Sequence, residues 1–208
     1  MEYSPELTGE EVKEVHKRFD ERQAVYRDRG LDFNAFREFI LDKAAPLEDG
    51  ILELGTGTGY TTLSLAREGY RFVSIDTDKE AIKTTAARLA YDKVLPNVQF
   101  HVMDAARLDF GDGSFKSVIA VNLLHHVSDT GKLLFEADRV LKPGGKVVIS
   151  DFNEEGRRII DAVHAEEGRT HDHPMADRPG IRSFFGARGY KVREFESAGH
   201  WILIGEKQ

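Results

Sequence analysis

The 208-residue chain contains no cysteine, and it has only one tryptophan and three methionines. Without cysteine it can form no disulfide, no thiolate metal site and no thiol nucleophile. No apolar run approaches the roughly 18 residues that a membrane span requires, and the opening segment MEYSPELTGEEVKEV lacks the basic-then-apolar order of a signal peptide. We therefore expect a cytoplasmic protein without a membrane partner.

Basic residues are fewer than acidic ones. The chain has 29 basic against 36 acidic side chains, a net charge of -7, and no run of lysine or arginine stands out. A protein that grips many phosphates needs a positive face, so we expect no nucleic-acid partner. The length fits one domain, and a composition of 40% hydrophobic and 31% charged residues is ordinary for a globular protein.

The first 45 residues show helical patterns. Thr8 and Glu11 have the spacing of a capping box, and Asp32 can cap a second helix that carries several phenylalanines. Pro46 ends this section.

From residue 46 onward, short β-branched runs alternate with amphipathic stretches. The segment 77–80 has capping-box spacing with Thr77 as the first helix cap, and the segment 143–145, Pro-Gly-Gly, predicts a turn. Predicted strands are residues 51–54, 72–75, 98–102, 117–121 and 146–150, and predicted helices are residues 60–68, 130–141 and the one opened at 77. Strands that alternate with helices predict a parallel sheet covered on both faces.

After Asp151 the alternation loosens. We predict a helix over 154–167, a polar loop over 171–179, a short helix over 181–188 and strands over 191–196 and 200–205. Three residues separate the last two strands, and so short a link cannot make a parallel crossover. These strands should therefore form an antiparallel hairpin.

The stretch ILELGTGTGY, residues 51–60, places three alternating glycines directly after an apolar strand. In an open α/β sheet, ligands bind beyond the carboxyl ends of the strands. Glycine lets a ligand approach the backbone, and the amides at a helix start offer donors. A tight turn is the alternative for one glycine, but three alternating glycines favour a ligand site.

The spacing of these glycines argues against a dinucleotide. That fingerprint is G-x-G-x-x-G, whereas the third glycine here comes one residue early and Tyr60 stands where the family glycine should be. The segment instead resembles motif I of the class I S-adenosylmethionine-dependent methyltransferases, in which strand one ends E/D-x-G-x-G-x-G.

Further motifs occur in the order of that family. The resemblance implies that Asp76, with Thr77 beside it, binds the ribose hydroxyls, that Asp104 and Ala105 meet the adenine, and that Asn122 lies near the methionine part. For the first loop it implies cofactor contacts from Glu53, Gly55, Thr56, Gly57 and Gly59. An aspartate just past a strand is alternatively a helix cap or turn former.

The resemblance also implies the fold and the cofactor. It predicts a Rossmann-like, doubly wound α/β fold with strand order 3-2-1-4-5-7-6, the last strand antiparallel, and S-adenosyl-L-methionine as cofactor with S-adenosyl-L-homocysteine as product. The single domain, 1–208, would comprise a helical lid at 1–45, a cofactor-binding core at 46–151 and a substrate side at 152–208. Tyr26 and Phe19 would face inward from the lid, although these helices could simply pack on the domain.

Methyl transfer needs a base only when the acceptor carries a proton, because positioning supplies much of the rate. His125 follows strand four and is the candidate base, with His126 assigned to the substrate side. Alternatively, both histidines hold their loop in place.

A second group of histidines comprises His164, His171 and His173. Three alternatives remain open for it: a solvated loop, which we favour, a gate facing the acceptor, or a divalent metal site. We assign His171 and His173 to the substrate side and predict no metal.

Missing motifs narrow the acceptor. No N/D-P-P-Y sequence follows strand four, and the lack of cysteine excludes cytosine methylation through a thiolate adduct. We expect a small-molecule methyl acceptor. The alternatives are a nicotinamide-dependent oxidoreductase and a catalytically inactive S-adenosylmethionine-binding regulatory module.

Overall fold

A seven-stranded sheet lies at the centre of the computed structural model, which describes residues 1–168 and 174–208. The strand order is β3-β2-β1-β4-β5-β7-β6, so the predicted order is confirmed. The strands are β1 (Ile51–Leu54), β2 (Phe72–Asp76), β3 (Val98–Val102), β4 (Phe115–Val121), β5 (Leu141–Phe152), β6 (Lys191–Ser197) and β7 (His200–Glu206).

Strands β1 to β5 pair in parallel, and β7 pairs antiparallel with both β5 and β6. The predicted hairpin is therefore confirmed, with Ser197 opposite His200 at its turn. Parallel pairing brings the carboxyl ends of β1, β2, β4 and β5 to one edge of the sheet, and the following loops meet there.

Within the described residues the helices are α1 (Gly9–Arg27), α2 (Phe33–Ala44), α3 (Tyr60–Arg67), α4 (Lys79–Tyr91), α5 (Thr130–Val140), α6 (Glu154–Glu166) and α7 (Arg178–Gly186). The capping box of Thr8 with Glu11 and the cap at Asp32 are both confirmed. The predicted cap at Thr77 was wrong. Asp78 caps α4 instead, because the backbone amide of Asp78 is held by Asp76 and its own carboxylate accepts from the amide of Glu80.

Two other predicted boundaries were displaced by three residues or more. Strand β5 begins at Leu141 instead of residue 146, because the chain stays paired with β4 on either side of a register shift between Phe115 and Ser117. Helix α7 begins at Arg178, inside the predicted loop 171–179, since Asp177 caps it by accepting from the amide of Gly180.

Apolar residues fill both faces of the sheet. Ile51 belongs to the cluster that contacts α2, α3 and α4, whereas Leu52 belongs to the cluster that contacts α5 and α7. Ile51 and Leu52 face opposite sides of the sheet because successive side chains of a strand alternate between its two faces. Full burial of a side chain such as Phe185 or Ile40 contributes about 1.5–3 kcal/mol of transfer free energy, so these helices are held by packing.

A third apolar cluster covers the carboxyl edge of the sheet. It joins Tyr26 and Phe33 of α1 and α2 to Phe152 at the end of β5 and to Ile160 and Val163 of α6. We call this cluster the roof. Among the described helices, none combines the length and hydropathy needed to cross a bilayer.

Candidate functional site

A cavity of about 760 Å³ lies between the carboxyl edge of the sheet and the roof. The predicted site residues that border it are Tyr26, Gly55, Thr56, Gly57, Gly59, Asp76, Thr77, Asp104, Ala105, Asn122, His125 and His126. Glu53 lies beneath the glycine loop and not on the cavity wall. The predicted substrate-side residues His171 and His173 lie outside the described part of the chain.

The glycine loop has a conformation that side chains cannot share. Gly55, Gly57 and Gly59 have φ angles of 80°, 50° and 76°, all in the left-handed region. A Cβ on Gly55 would stand 2.8 Å from Leu123 Cδ1, and one on Gly59 would stand 2.5 Å from Thr85 Cγ2. A Cβ on Gly57 would meet nothing within 4 Å. Gly57 therefore presents bare backbone to open space in the cavity.

Asp76 is fixed by two backbone amides. Its Oδ2 accepts from the Gly57 amide at 2.8 Å, and its Oδ1 accepts from the Asp78 amide at 3.0 Å. An ionised carboxylate has about four acceptor positions, so both oxygens retain capacity for hydroxyl donors in the cavity. The carboxylate thus binds the glycine loop and borders the ligand space at the same time.

Asp104 forms a turn and also borders the cavity. Its Oδ1 accepts from the Ala106 amide at 2.8 Å, which makes it a turn former. The same residue borders the cavity, next to the buried Ala105. Turn formation and ligand contact are therefore compatible at this position.

Asn122 carries a strained backbone and an unsatisfied amide oxygen. Its φ is 54°, which is unusual for a residue other than glycine. Its backbone amide donates to the Ser150 carbonyl at 2.8 Å. Its Nδ2 lies 3.2 Å from His200 Nε2, while its buried Oδ1 has no partner among the described residues. A buried acceptor without a donor costs about 1–3 kcal/mol, so Oδ1 is suited to receive a donor from a bound molecule.

His200 is the residue that contacts the side-chain amide of Asn122. It is fully buried and stacks on Phe36 with ring centroids 3.7 Å apart. Burial holds the pKa of His200 well below its ordinary value of 6.5, so the ring is neutral and can accept from Asn122 Nδ2. His200 was predicted only as the first residue of a strand, and its contact with Asn122 was not predicted.

His125 forms a buried pair with Asp151. Its Nδ1 lies 2.6 Å from Asp151 Oδ1, and the two residues are 5% and 2% exposed. A carboxylate only accepts, so the proton of the neutral imidazole sits on Nδ1 and the ring lone pair sits on Nε2. Asp151 was not predicted, although its position at the carboxyl end of strand VVISDF was a usable signal.

Glu53 supports the loop from the side away from the cavity. Its Oε2 accepts from Thr62 Oγ1 at 2.8 Å and from Ser74 Oγ at 2.7 Å. Burial raises the pKa of Glu53 from 4.5 to about 7, against the opposing effect of these two hydrogen bonds. The side chain is therefore partly protonated near neutral pH in the ligand-free protein.

The pKa of Glu53 predicts a pH dependence of stability. Between pH 4.5 and about 7 the folded chain holds a proton that the unfolded chain has lost, so the free energy of unfolding falls as pH rises through this window. The expected fall is on the order of 2–3 kcal/mol. Glu53→Gln should flatten this part of a urea-denaturation profile between pH 4.5 and 8. Glu68→Gln, at an exposed position, should leave it unchanged, and an unaltered slope in Glu53→Gln would contradict the assignment.

Arg37 is a second residue that sequence analysis missed. It is 4% exposed, borders the cavity from α2, and donates from Nε to Thr61 Oγ1 at 3.0 Å. Its buried Nη1 has no partner within the described ranges. A buried guanidinium with an unused donor beside the glycine loop is suited to a ligand carboxylate.

Aromatic rings from α1 and α2 border the cavity and pack against Tyr60, which directly follows the glycine loop. Phe33 and Tyr60 have ring centroids 4.7 Å apart, as do Phe19 and Tyr60. Arg22 of α1 pairs with Glu167 after α6 at 2.7 Å. This ion pair thus connects α1 to the end of α6, on the other side of the cavity.

Residues 1–168 and 174–208 hold no group of three or more acidic or histidine side chains suited to a metal ion.

Comparison with known proteins agrees with this geometry. Residues 52–149 match the family profile described as "Methyltransferase domain". An uncharacterized methyltransferase of Bacillus subtilis is 30% identical over 145 residues, which cover 69% of this chain and 57% of that protein. A demethylmenaquinone methyltransferase of Tropheryma whipplei is 28% identical over 159 residues, covering 74% and 65%.

A protein of Pyrococcus horikoshii has the same fold, with a TM-score of 0.71, 18% identity, and coverage of 88% of this chain and 92% of that one. The chain spans 57–65% of the length of the two curated relatives described above. Motif order, domain profile and sheet topology agree, and residues 52–149 form a methyltransferase domain of the class I S-adenosylmethionine-dependent type.

Proposed function

We propose that the chain binds S-adenosyl-L-methionine in the 760 Å³ cavity and transfers its methyl group to a small aromatic acceptor. One observation carries the proposal: the glycine loop, Asp76, Asn122 and the His125–Asp151 pair all meet in a single cavity beneath an aromatic roof. Acceptor and cofactor would therefore share one enclosed space.

The residues present fit this cofactor. Asp76 would accept from the ribose hydroxyls, and Asp104 with Ala105 would border the adenine. The unpartnered Nη1 of Arg37 fits the carboxylate of the methionine part, and the unpartnered Oδ1 of Asn122 fits a donor such as its ammonium group. When bound, the cofactor would supply an electrophilic methyl carbon, which the acceptor would attack in line while the carbon–sulfur bond breaks and its electron pair stays on sulfur.

The chain's own chemical task is then to hold the acceptor and take its proton. His125 Nε2 would receive the proton of an acceptor hydroxyl or of an acidic carbon as the new bond to the methyl carbon forms. Asp151 would fix the ring tautomer and stabilise the resulting imidazolium. Exclusion of water by the roof would favour both functions.

The acceptor class follows from the aromatic rings that line the cavity. Phe19, Tyr26, Phe33 and Phe152 offer apolar faces and edges to a flat molecule, and aromatic pairs of this kind contribute about 0.5–1.5 kcal/mol beyond their burial. The T. whipplei relative is named for demethylmenaquinone, which is consistent with an aromatic acceptor. Helices α1 and α2 would form the lid that admits it.

Calorimetric titration tests the proposal directly. S-adenosylmethionine and S-adenosylhomocysteine should bind one site per chain, whereas NAD should give no saturable heat. Labelled methyl donor with a panel of phenols, quinols and aliphatic amines should then label an aromatic product. Binding of NAD alone would indicate the oxidoreductase, and cofactor binding without any labelled product would indicate the inactive binding module.

A further inference from the structure

A second cavity of about 340 Å³ lies between α1, the start of α2 and the helices α3 and α4. Polar and charged side chains dominate its wall, and Phe19 borders both this cavity and the larger one. None of the sequence motifs that define the methyl-transfer site belongs to it. The polar and charged lining of this second cavity is therefore not explained by methyl transfer.

The wall of this cavity is positively charged. Arg27, Arg67 and Arg88 border it together with two aspartates, Asp20 and Asp92. Arg67 pairs with Asp92 at 2.6 Å, and Asp20 lies 3.2 Å from His16. Within the part of the chain that is described, the exposed Arg27 makes no ion pair. Three arginines and two aspartates line this space, so its wall carries a net positive charge of one with histidine counted as neutral.

Arg88 is the buried member of the group. It is 2% exposed, and its Nη1 donates to the Thr58 carbonyl of the glycine loop. Its guanidinium lies over the ring of Phe19, while Nε and Nη2 have no partner among the described residues. Burial lowers the pKa of Arg88 from 12.5 to about 9, which reflects how poorly its charge is compensated.

Two unused donors on one edge of a guanidinium match a single kind of ligand. The Nε and Nη2 hydrogens form a planar fork that fits two oxygens of a phosphate or carboxylate group. Supplying those oxygens would remove the cost of leaving buried donors unsatisfied. With Arg27 on the same wall, the remaining oxygens of a phosphate group can accept from a second arginine, which a single carboxylate held in the Arg88 fork cannot do.

We propose that this second cavity binds a phosphate dianion, either free or as a small phosphomonoester, through Arg88 and Arg27. The site is separate from the methyl-transfer chemistry and does not depend on the proposed function. It lies against the glycine loop, because Arg88 bonds to the Thr58 carbonyl there.

Titration of the cofactor-free chain with inorganic phosphate, at ionic strength held constant with chloride, tests the site. We expect saturable heat with one site per chain. Arg27→Gln should weaken binding by about tenfold or more, since it removes a hydrogen bond to a charged group. Arg71→Gln, which removes the same charge from an exposed position outside both cavities, should leave the affinity unchanged.

Further variants and ligands separate the outcomes. Arg88→Met keeps the apolar stem and should abolish binding; if that variant fails to fold, as judged by circular dichroism, Arg27→Gln alone decides. Tighter binding of glycerol 3-phosphate than of inorganic phosphate would identify a monoester as the ligand, and equal or weaker binding would identify the free ion. Absence of saturable heat with both, or equal weakening by Arg71→Gln and Arg27→Gln, would overturn the proposal.

Discussion

Asp151→Asn should lower methyl-transfer turnover by about 10³-fold, within the range for loss of a general base, and leave S-adenosylmethionine affinity within about twofold. Asp151 Oδ1 accepts at 2.6 Å from His125 Nδ1. An asparagine there can donate from its own amide, which would favour the proton on Nε2 and remove the lone pair needed by the acceptor. Turnover with labelled methyl donor and calorimetric affinity should be measured on the same preparations.

The pair offers an internal control. His125→Gln should cost about as much as Asp151→Asn, and the double variant should cost no more than either alone, because the two residues act as one unit. Asp109→Asn, at an exposed site outside the cavity, should keep full turnover. A loss of cofactor affinity that equals the loss of turnover would show that the pair only holds the loop in place.

Asp76→Ala should weaken the binding of S-adenosylhomocysteine by several hundredfold. The change removes the acceptor for two ribose hydroxyls, each bond to a charged group contributing about 1.5–3 kcal/mol. It also releases the Gly57 amide, which lies 2.8 Å from Asp76 Oδ2, so the loop itself loses support. Calorimetric titration gives the dissociation constant.

Two comparisons separate the carboxylate from the fold. Asp76→Asn keeps the shape of the side chain and one of its two acceptors for backbone amides, so it should lower the unfolding temperature less than Asp76→Ala does while losing most of the affinity. Asp109→Ala should match the wild type in both respects. An affinity for Asp76→Ala within threefold of wild type would remove Asp76 from the cofactor site.

Features coded by neighbouring residues could be predicted from the sequence. The hairpin and the glycine loop were predicted from short-range periodicity and from spacing within one motif, whereas the sheet order and the role of Asp76 were implied by the family resemblance. The cap of α4 shows the limit of such signals. Thr77 and Asp78 are both residue types that cap helices. Asp78 is the cap because the Asp76 carboxylate accepts a hydrogen bond from its backbone amide.

The missed residues depend on contacts between distant parts of the chain. Asp151 is 26 residues from His125, and His200 is 78 residues from Asn122. Periodicity identifies the strand on which each residue lies but does not tell which side chains meet across strands. Arg37 was missed for the same reason, since its helix showed only an apolar pattern and its partner Thr61 follows another loop.

The position of β7 has a consequence for synthesis on the ribosome. This strand inserts between β5 and β6, yet it is the last strand of the sheet to be made. Until residue 206 has emerged, one edge of β5 is unpaired and Asn122 lacks His200 beneath it. An exposed apolar edge is a site for pairing with other chains. The nascent protein should therefore acquire cofactor affinity only after β7 has emerged and paired with β5, and chaperones that cover strand edges should act on it until then.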